Sequence, residues 1–198
     1  MHSNHNGITM WLQQAVALAM LLVLLPVGLL IALAIRLDSP GPVLFLQNRV
    51  GQMGRTFRIY KFRTMHTDQS RHTLTSERSG VCFKMRRDPR VTRIGYWLRR
   101  GSLDELPQLI NVVRGDMALI GPRPALPQEV NAYAHDHLER LGKLPGITGL
   151  WQVSGRADTT FDEQINLDIR YVRDQSPWLD LSILLRTIPV VLTAKGAY

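Results

Sequence analysis

The pattern of apolar and polar positions divides the chain into one long apolar run and a mixed remainder. No charged residue precedes Arg36, and residues 10–35 are dominated by Leu, Ala, Val and Ile. Roughly 20 apolar residues suffice for a membrane helix, and this run is longer. The sequence therefore predicts a membrane-embedded helix in this segment.

A cleaved secretory signal is the competing interpretation of the same run. Residues 1–9 contain no Lys or Arg, so the basic region that opens such a signal is missing. The apolar run is also longer than the core of an ordinary signal. We expect the segment to be retained.

Pro26 and Gly28 interrupt the apolar run near its middle. Proline removes a backbone donor and clashes with the preceding turn, so the two halves of the helix need not be collinear. A gently kinked helix would cross the membrane, whereas a sharp break would return the chain to the face from which it entered. Pattern alone leaves both geometries open.

Two runs of apolar, β-branched and basic residues follow, at 43–49 and 56–65. The glycine-containing stretch 51–54 between them is typical of a hairpin connection. The polar residues 66–80 predict a long loop of the kind that often carries function.

Helical periodicity recurs in the second half of the chain. The predicted helices are 91–100, 102–113, 126–141, 161–173 and 179–194. The last is apolar but contains Asp180 and Arg186, which suits a helix lying on a membrane. The glycine-rich stretch 145–149 predicts a turn. The fold class predicted is α+β, mainly helical, with a small β-hairpin and several amphipathic interfacial helices around the candidate site.

The net charge of +8 is unevenly distributed. Residues 36–100 carry a net charge of +11, whereas residues 101–198 carry −3. A basic stretch beside a membrane segment attracts anionic lipid and is typical of a cytoplasmic flank. We therefore place residues 36–198 in the cytoplasm. The chain has no recognisable nucleic-acid-binding signature, and we expect no nucleic-acid partner.

Cys82 is the only cysteine, which excludes an internal disulfide and a cysteine-based zinc site. Its apolar neighbours predict a structural role. The pair His135 and His137 is spaced wrongly for one helix face, so an exposed polar stretch is the expected interpretation.

Candidate chemistry lies in residues 101–124. Asp104 and Glu105 are adjacent, and Arg123 lies between two prolines. A carboxylate nucleophile, a second carboxylate for a metal and a rigid guanidinium suit phosphoryl transfer, whose transition state is stabilised by positioning and positive charge. Acids in a first helical turn more often only offset the helix dipole. The acid pair alone therefore does not distinguish a catalytic role from dipole compensation.

Local signals around the acid pair conflict. Ser102 with Glu105 three residues later fits a capping box, which would start a helix at once. Pro107 would then fall inside that helix and leave a carbonyl unpaired. Either the first turn is distorted or the regular helix begins only at Pro107.

Several motifs occur together in one order along the chain. They are QNRVG (47–51), YKFRTM (60–65), SLDELPQL (102–109), GDM (115–117), GPRP (121–124) and PGITG (145–149). In this order the chain resembles bacterial sugar transferases, specifically the small monotopic phosphoglycosyl transferases. The resemblance covers residues from about 43 to 198.

That resemblance implies a reaction in which a UDP-sugar and undecaprenyl phosphate give undecaprenyl-diphospho-sugar and UMP, with Mg²⁺. By carry-over, Asp104 is the nucleophile that forms a covalent phospho-sugar aspartate, and Glu105, with Asp104, holds the metal. The remaining carried-over positions are Arg123, Lys61 and Arg99 for substrate phosphates, and Gln47 and Arg49 for an unassigned part of the substrate. An ordinary exposed strand lysine is the alternative role of Lys61.

The resemblance also implies the organisation of the chain. Residues 1–37 would form a re-entrant membrane-anchoring helix, and residues 38–198 a catalytic domain on the cytoplasmic face of the bacterial inner membrane. The family usually breaks this helix at a Ser-Pro pair, whereas Leu25 precedes Pro26 here. Anionic membrane lipid and a second copy of the chain are further candidate partners.

The stretch GLWQVSGR (149–156) and the ending KGAY (195–198) resemble the branch that uses UDP-glucose or UDP-galactose. The product would begin an exopolysaccharide, O-antigen or capsule. The alternative class is a single-pass membrane protein whose basic domain binds anionic lipid or a protein partner without catalysis. That alternative explains the apolar run and the charge, but not Asp104 and Glu105 together with Arg123.

Overall fold

The computed structural model describes residues 8–68, 88–155 and 159–193. The helices within these ranges are α1 (Met10–Asp38), α2 (Arg93–Arg100), α3 (Gln108–Arg114), α4 (Pro127–Asn131), α5 (Leu150–Ser154), α6 (Phe161–Asp174) and α7 (Pro177–Leu192). The strands are β1 (Leu44–Val50), β2 (Thr56–Phe62), β3 (Ala118–Ile120) and β4 (Gly146–Thr148). The predicted α+β, mainly helical class is confirmed.

Helix α1 is one continuous helix of 29 residues that passes through Pro26. The predicted bend does not end the helix, because an internal proline removes one backbone hydrogen bond and can leave a helix kinked but unbroken. By length and composition α1 could cross a membrane. Large apolar side chains, including Trp11, Leu22 and Leu37, are exposed along it.

One face of α1 contacts the rest of the chain from its first turn to its last. The contacting positions recur every three or four residues: Met10, Gln13, Gln14, Ala17, Leu21, Leu24, Gly28, Ile31 and Ile35. Just before α1, the Ile8 N–H donates to Asp180 at 3.0 Å. At its last residue, Asp38 accepts from the Ile94 N–H at 3.1 Å. Both ends of the apolar helix therefore contact the same folded body.

Strands β1 and β2 form the predicted antiparallel hairpin, in which Phe45 lies opposite Lys61 and Gln47 opposite Ile59. Alternate residues of a strand face the same side of a sheet. Gln47, Arg49 and Lys61 therefore share one face. The second strand ends at Phe62, three residues before the predicted end.

The predicted capping box at Ser102 is wrong. Ser102 adopts a left-handed conformation (φ 53°) and its side chain does not cap the turn. Residues Leu103–Glu105 form a single 3₁₀ turn, and α3 begins only after Pro107. The alternative helix start is confirmed, because proline fits the beginning of a helix but not its interior.

Strands β3 and β4 form a parallel pair, whereas the sequence indicated only a turn at 145–149. Strands of three residues are too short to show a period. A Cβ on Gly146 would lie 2.1 Å from the Gly121 nitrogen, so the pair requires glycine at this contact.

The predicted single helix over 126–141 is also wrong. Helix α4 ends at Asn131, Ala134 is extended, and a 3₁₀ segment follows at His135–Gly142. The interruption allows the Tyr133 hydroxyl to accept a hydrogen bond from Arg140 at 2.6 Å. Satisfying a buried polar group outweighs helical continuity here.

The C-terminal helices largely follow the prediction. Helix α6 begins at a capping box formed by Thr160 and Glu163. Helix α7 begins two residues earlier than predicted, because Ser176 accepts a hydrogen bond from the Leu179 N–H. The short α5 was not predicted. Residues 69–80 of the predicted loop, Cys82 and residues 194–198 lie outside the described residues.

Three apolar clusters fix these elements. The first joins α1, β2 and α3 around Ala17, Ile59 and Val112. The second joins β3, α5, α6 and α7. The third joins α1, β2 and α2 around Phe62 and Leu98. The turn that carries the acid pair lies between α2 and α3, where the first and third clusters meet.

Candidate active site

The acid pair lies in a tight turn between two helices. The Glu105 N–H donates to the Ser102 carbonyl at 3.3 Å, and the Leu106 N–H donates to the Leu103 carbonyl at 3.2 Å. Both acids lie in this one short turn, which joins α2 directly to the segment before α3. The packing of the two helices therefore fixes the positions of the acids.

Lys61 and Glu105 form an ion pair across this site. Lys61 Nζ lies 2.7 Å from Glu105 Oε1, and the two side chains are 23% and 30% exposed. A pair that is partly solvated contributes little to stability. Its effect is to orient the strand lysine toward the acid turn, which favours the functional interpretation of Lys61 over that of an ordinary exposed lysine.

Asp104 is half-buried beside Glu105, Lys61 and Arg99. Burial and the neighbouring charge of Glu105 raise the pKa of Asp104 to about 6, while Lys61 and Arg99 oppose the increase. An acid with this pKa is largely ionised near neutral pH and also readily accepts a proton.

Arg99 is held on the other side of the turn. Arg99 Nε donates to Thr64 Oγ1 at 2.9 Å. Burial lowers the pKa of Arg99, and the charge of Asp104 partly offsets that decrease. Helix α2 packs closely here, since a Cβ on Gly95 would lie 2.1 Å from the Thr64 carbonyl oxygen. The structure therefore brings Asp104, Glu105, Lys61 and Arg99 into one group.

Asn111 aligns the strand with the helix and was not selected from the sequence. It is fully buried on α3. Its side-chain oxygen accepts from the Tyr60 N–H at 3.1 Å, and its side-chain nitrogen donates to the Arg58 carbonyl at 2.7 Å. A buried amide satisfied on both sides fixes α3 against β2. The signal in the sequence is one amide within the apolar run LINVV.

Arg63 connects the same strand to the end of α1. It is 5% exposed and donates to the Pro42 carbonyl at 2.6 Å and to the Ser39 carbonyl at 2.8 Å. The YKFRTM motif thus places Lys61 at the acid pair, Arg63 at the C-terminal end of α1 and Thr64 against Arg99.

Arg49 contacts the segment around Arg123, and Gln47 contacts Arg49. Arg49 Nη2 donates to Gln47 Oε1 at 2.7 Å, and Arg49 Nη1 donates to the Pro124 carbonyl at 3.0 Å. Arg49 is 8% exposed. These contacts support the conformation of the Pro-Arg-Pro segment, and a contact with substrate stays a prediction.

Arg123 belongs to a second group of charges. Arg123 Nη1 lies 3.6 Å from Glu129 Oε1, and its side chain is 36% exposed whereas that of Glu129 is 1% exposed. Arg140 donates to the Arg123 carbonyl and is itself paired with Asp168. Within the described residues the guanidinium is paired with Glu129, and its partly exposed side chain remains accessible to an anion.

The adjacent carboxylates of Asp104 and Glu105 are the candidate ligands for Mg²⁺. Among the described residues, no group of three or more His, Cys, Asp or Glu is arranged to hold a metal. Mg²⁺ in phosphoryl-transfer sites commonly uses one or two carboxylates with substrate phosphates and water. The oxygen donors of the acid pair fit that pattern, and the predicted role of the pair in metal binding stays a prediction.

An acid pair with two cations, close to an apolar helix of membrane-spanning length, is typical of an enzyme that handles phosphate at a membrane. Comparison with known proteins specifies the family. The bacterial sugar transferase family matches residues 5–194, and the chain belongs to it.

Individual relatives agree with this assignment. The galactosyl transferase CpsE of Streptococcus agalactiae serotype III is 48% identical over 168 residues, which cover 82% of this chain and 37% of that protein. The undecaprenyl-phosphate galactose phosphotransferase of Salmonella typhimurium is 42% identical over 166 residues, covering 80% of this chain and 35% of that protein. The UDP-glucose:undecaprenyl-phosphate glucose-1-phosphate transferase of Caulobacter vibrioides is 44% identical over 187 residues, covering 87% and 65%. The chain spans 35–40% of the length of several relatives.

Proposed function

We propose that the chain transfers a sugar-1-phosphate from a UDP-sugar to undecaprenyl phosphate and releases UMP. The observation that carries the proposal is the grouping of Asp104 and Glu105 with Lys61 and Arg99 in a member of the bacterial sugar transferase family. Relatives named as undecaprenyl-phosphate sugar phosphotransferases support the same reaction.

The first step we propose is attack by Asp104. A carboxylate oxygen forms a bond to the phosphorus that bears the sugar, and the bond from that phosphorus to the bridging oxygen of the diphosphate breaks. The bridging oxygen and its electron pair leave with UMP. Asp104 then carries the sugar phosphate as an acyl phosphate.

The second step returns Asp104 to its starting state. A phosphate oxygen of undecaprenyl phosphate attacks the same phosphorus, and the bond to the Asp104 oxygen breaks. The product is undecaprenyl-diphospho-sugar. Two displacements through one carboxylate allow a soluble donor and a lipid acceptor to react in turn rather than together.

The neighbouring residues have separate roles in this proposal. Lys61 orients Glu105, while Arg99 and Lys61 stabilise negative charge near the reacting phosphorus. Arg123 contacts substrate phosphate with its exposed guanidinium. Mg²⁺ held by Asp104 and Glu105 would neutralise charge on the diphosphate.

Glucose or galactose is the sugar we propose. Relatives with 42–48% identity are named for galactose or glucose transfer. The GLWQVSGR stretch resembles the same branch. The product would initiate an exopolysaccharide, capsule or O-antigen.

In this proposal the catalytic domain lies on the cytoplasmic face of the inner membrane. A re-entrant path of α1 requires a sharp bend at Pro26 in the membrane, because the structure has one continuous helix. We nevertheless propose that both ends of α1 lie on that face. The support is that both ends of α1 contact the same folded body. The net charge of +11 in residues 36–100 favours anionic lipid at that surface. Association of two copies and contact with anionic lipid are further predictions.

Purified protein in nanodiscs with undecaprenyl phosphate tests the proposal. We expect UMP release from UDP-glucose or UDP-galactose, with less from UDP-N-acetyl sugars. Without the acceptor, mass spectrometry should detect one hexose phosphate on the peptide that contains Asp104. No UMP release from any UDP-sugar, together with tight binding to anionic vesicles, would support the non-catalytic alternative.

A further inference from the structure

Arg140 and Asp168 form a buried ion pair that the proposed reaction does not use directly. Their side chains are 4% and 0% exposed. Burying two charges carries a desolvation penalty, and apolar replacements of such pairs are often no less stable. Stability alone is therefore a weak explanation for this pair.

Arg140 holds the backbone of Arg123, and Asp168 holds Arg140. Asp168 accepts from Arg140 Nη2 and so fixes the guanidinium that contacts Arg123. The Arg123 carbonyl accepts from Arg140 Nη2 at 3.3 Å. Pro122 and Pro124 restrict the backbone on either side. The Arg123 carbonyl is thus fixed by a buried guanidinium, which a buried carboxylate fixes in turn.

A third buried charge holds the side chain of Arg123. Glu129 lies 3.6 Å from the Arg123 guanidinium. Its other oxygen accepts from the Leu126 N–H at 2.7 Å, so the carboxylate is itself fixed. Bidentate recognition of phosphate requires a fixed guanidinium plane, and a preorganised group loses less freedom on binding.

We propose that Asp168 and Arg140 are positioning residues that hold Arg123 in the orientation needed to bind the phosphates of a nucleotide sugar. The inference rests on the proposed function for the identity of the anion. It places no direct contact between Asp168 or Arg140 and substrate.

Asp180 provides a matched control for Asp168. It is also fully buried. It accepts from the Tyr171 hydroxyl at 2.8 Å and from the Ile8 N–H at 3.0 Å. Asp180→Asn should weaken the fold without acting through Arg123, whereas Asp168→Asn should do both.

Hydrogen exchange tests the position of Arg123 without relying on activity. Mass spectrometry of a peptide spanning residues 121–126, which excludes the Ile120 carbonyl that Tyr171 contacts, should show faster amide exchange in Asp168→Asn than in the wild type, and unchanged exchange in Asp180→Asn. Arg140→Lys is the second variant, because lysine can remain paired with Asp168 but cannot reproduce the planar fork that also reaches Tyr133 and the Arg123 carbonyl. Unchanged exchange in both variants would overturn the inference.

A double-mutant cycle tests the consequence for the reaction. Asp168→Asn should lower kcat/KM for UDP-sugar by about tenfold when Arg123 is present, but by less than about threefold in the Arg123→Lys background, since contacting residues are coupled. Asp180→Asn should cost the same factor in both backgrounds. Equal losses for Asp168→Asn in both backgrounds would assign it a purely structural role. If the wild type releases no UMP while the exchange result holds, only the proposed reaction fails.

Discussion

Lys61 Nζ lies 2.7 Å from Glu105 Oε1, although the two residues are 44 positions apart in the chain. The contact joins β2 to the 3₁₀ turn of the acid pair. Asn111 fixes the same strand to α3 a short distance away. The acid turn is therefore fixed by the strand as well as by its flanking helices, which keeps Asp104 beside two cations.

Asp104→Asn should abolish turnover, because an amide can neither attack phosphorus nor carry the sugar phosphate. We expect UMP release to fall by about a thousandfold or more, as for other nucleophile substitutions. Thermal unfolding should change little, since the side chain is only half-buried. Activity within about tenfold of wild type would contradict the role of Asp104 as nucleophile.

Glu105→Gln should remove most of the activity and weaken its dependence on Mg²⁺. The amide is a poorer ligand for a hard cation and loses the ion pair with Lys61. A Mg²⁺ titration of UMP release measures the change. Asp162→Asn, which alters an exposed carboxylate on α6, should leave the titration unchanged. The same Mg²⁺ dependence in wild type and Glu105→Gln would exclude Glu105 from the metal site.

The pH dependence of the first step should follow Asp104, whose pKa burial and the charge of Glu105 raise to about 6. The nucleophile must be ionised, so single-turnover UMP release should fall as the pH decreases through about 6. Lys61→Met removes a charge that lowers this pKa and should move the acid limb to higher pH. Glu105→Gln removes a charge that raises it and should move the limb to lower pH. Shifts in the reverse directions would show that another group controls the profile.

Arg123→Lys should be poorly tolerated. A flexible ammonium cannot reproduce a planar fork whose backbone is held between two prolines. We expect kcat/KM for UDP-sugar to fall by about tenfold to a hundredfold, the range for losing a charge-assisted bidentate contact. Arg170→Lys, an exposed change on α6, is the control. Kinetics close to wild type would place Arg123 outside the substrate site.

The sequence predicted the elements whose signals are local and missed those that depend on distant partners. The apolar run and the hairpin at 51–54 are visible in the composition of the sequence, and α6 is visible as a helical period of apolar residues. The parallel pair β3 and β4 depends on two glycines that approach across the fold. The interruption of the predicted helix 126–141 depends on the hydrogen bond between Tyr133 and Arg140.

The residues of the candidate site also divide into those that the sequence indicated and those that depend on distant partners. Asp104, Glu105, Lys61 and Arg99 were selected from motifs, and the structure brings them together. Motifs could not show that Arg123 belongs to a separate group with Glu129, because that group forms through α4 and α6. Asn111 was missed because the partners through which it holds β2 are backbone atoms, whose positions cannot be inferred from the sequence.

The last prediction concerns the path of α1 in the membrane. The residues before α1 lack Lys and Arg while those after it have many, so charge bias alone would place the two ends on opposite faces. The contacts favour an arrangement with both ends of α1 on one face. Ile8, just before α1, donates to Asp180, and Asp38, at its end, accepts from Ile94. A spanning helix would place roughly 30 Å of hydrocarbon between these two ends. Cysteines introduced at Ser3 and Thr193 in a Cys82→Ser background should both resist an impermeant thiol reagent in intact spheroplasts and react after lysis. Reaction at Ser3 before lysis, with Thr193 still protected, would establish a spanning helix and contradict the same-face arrangement.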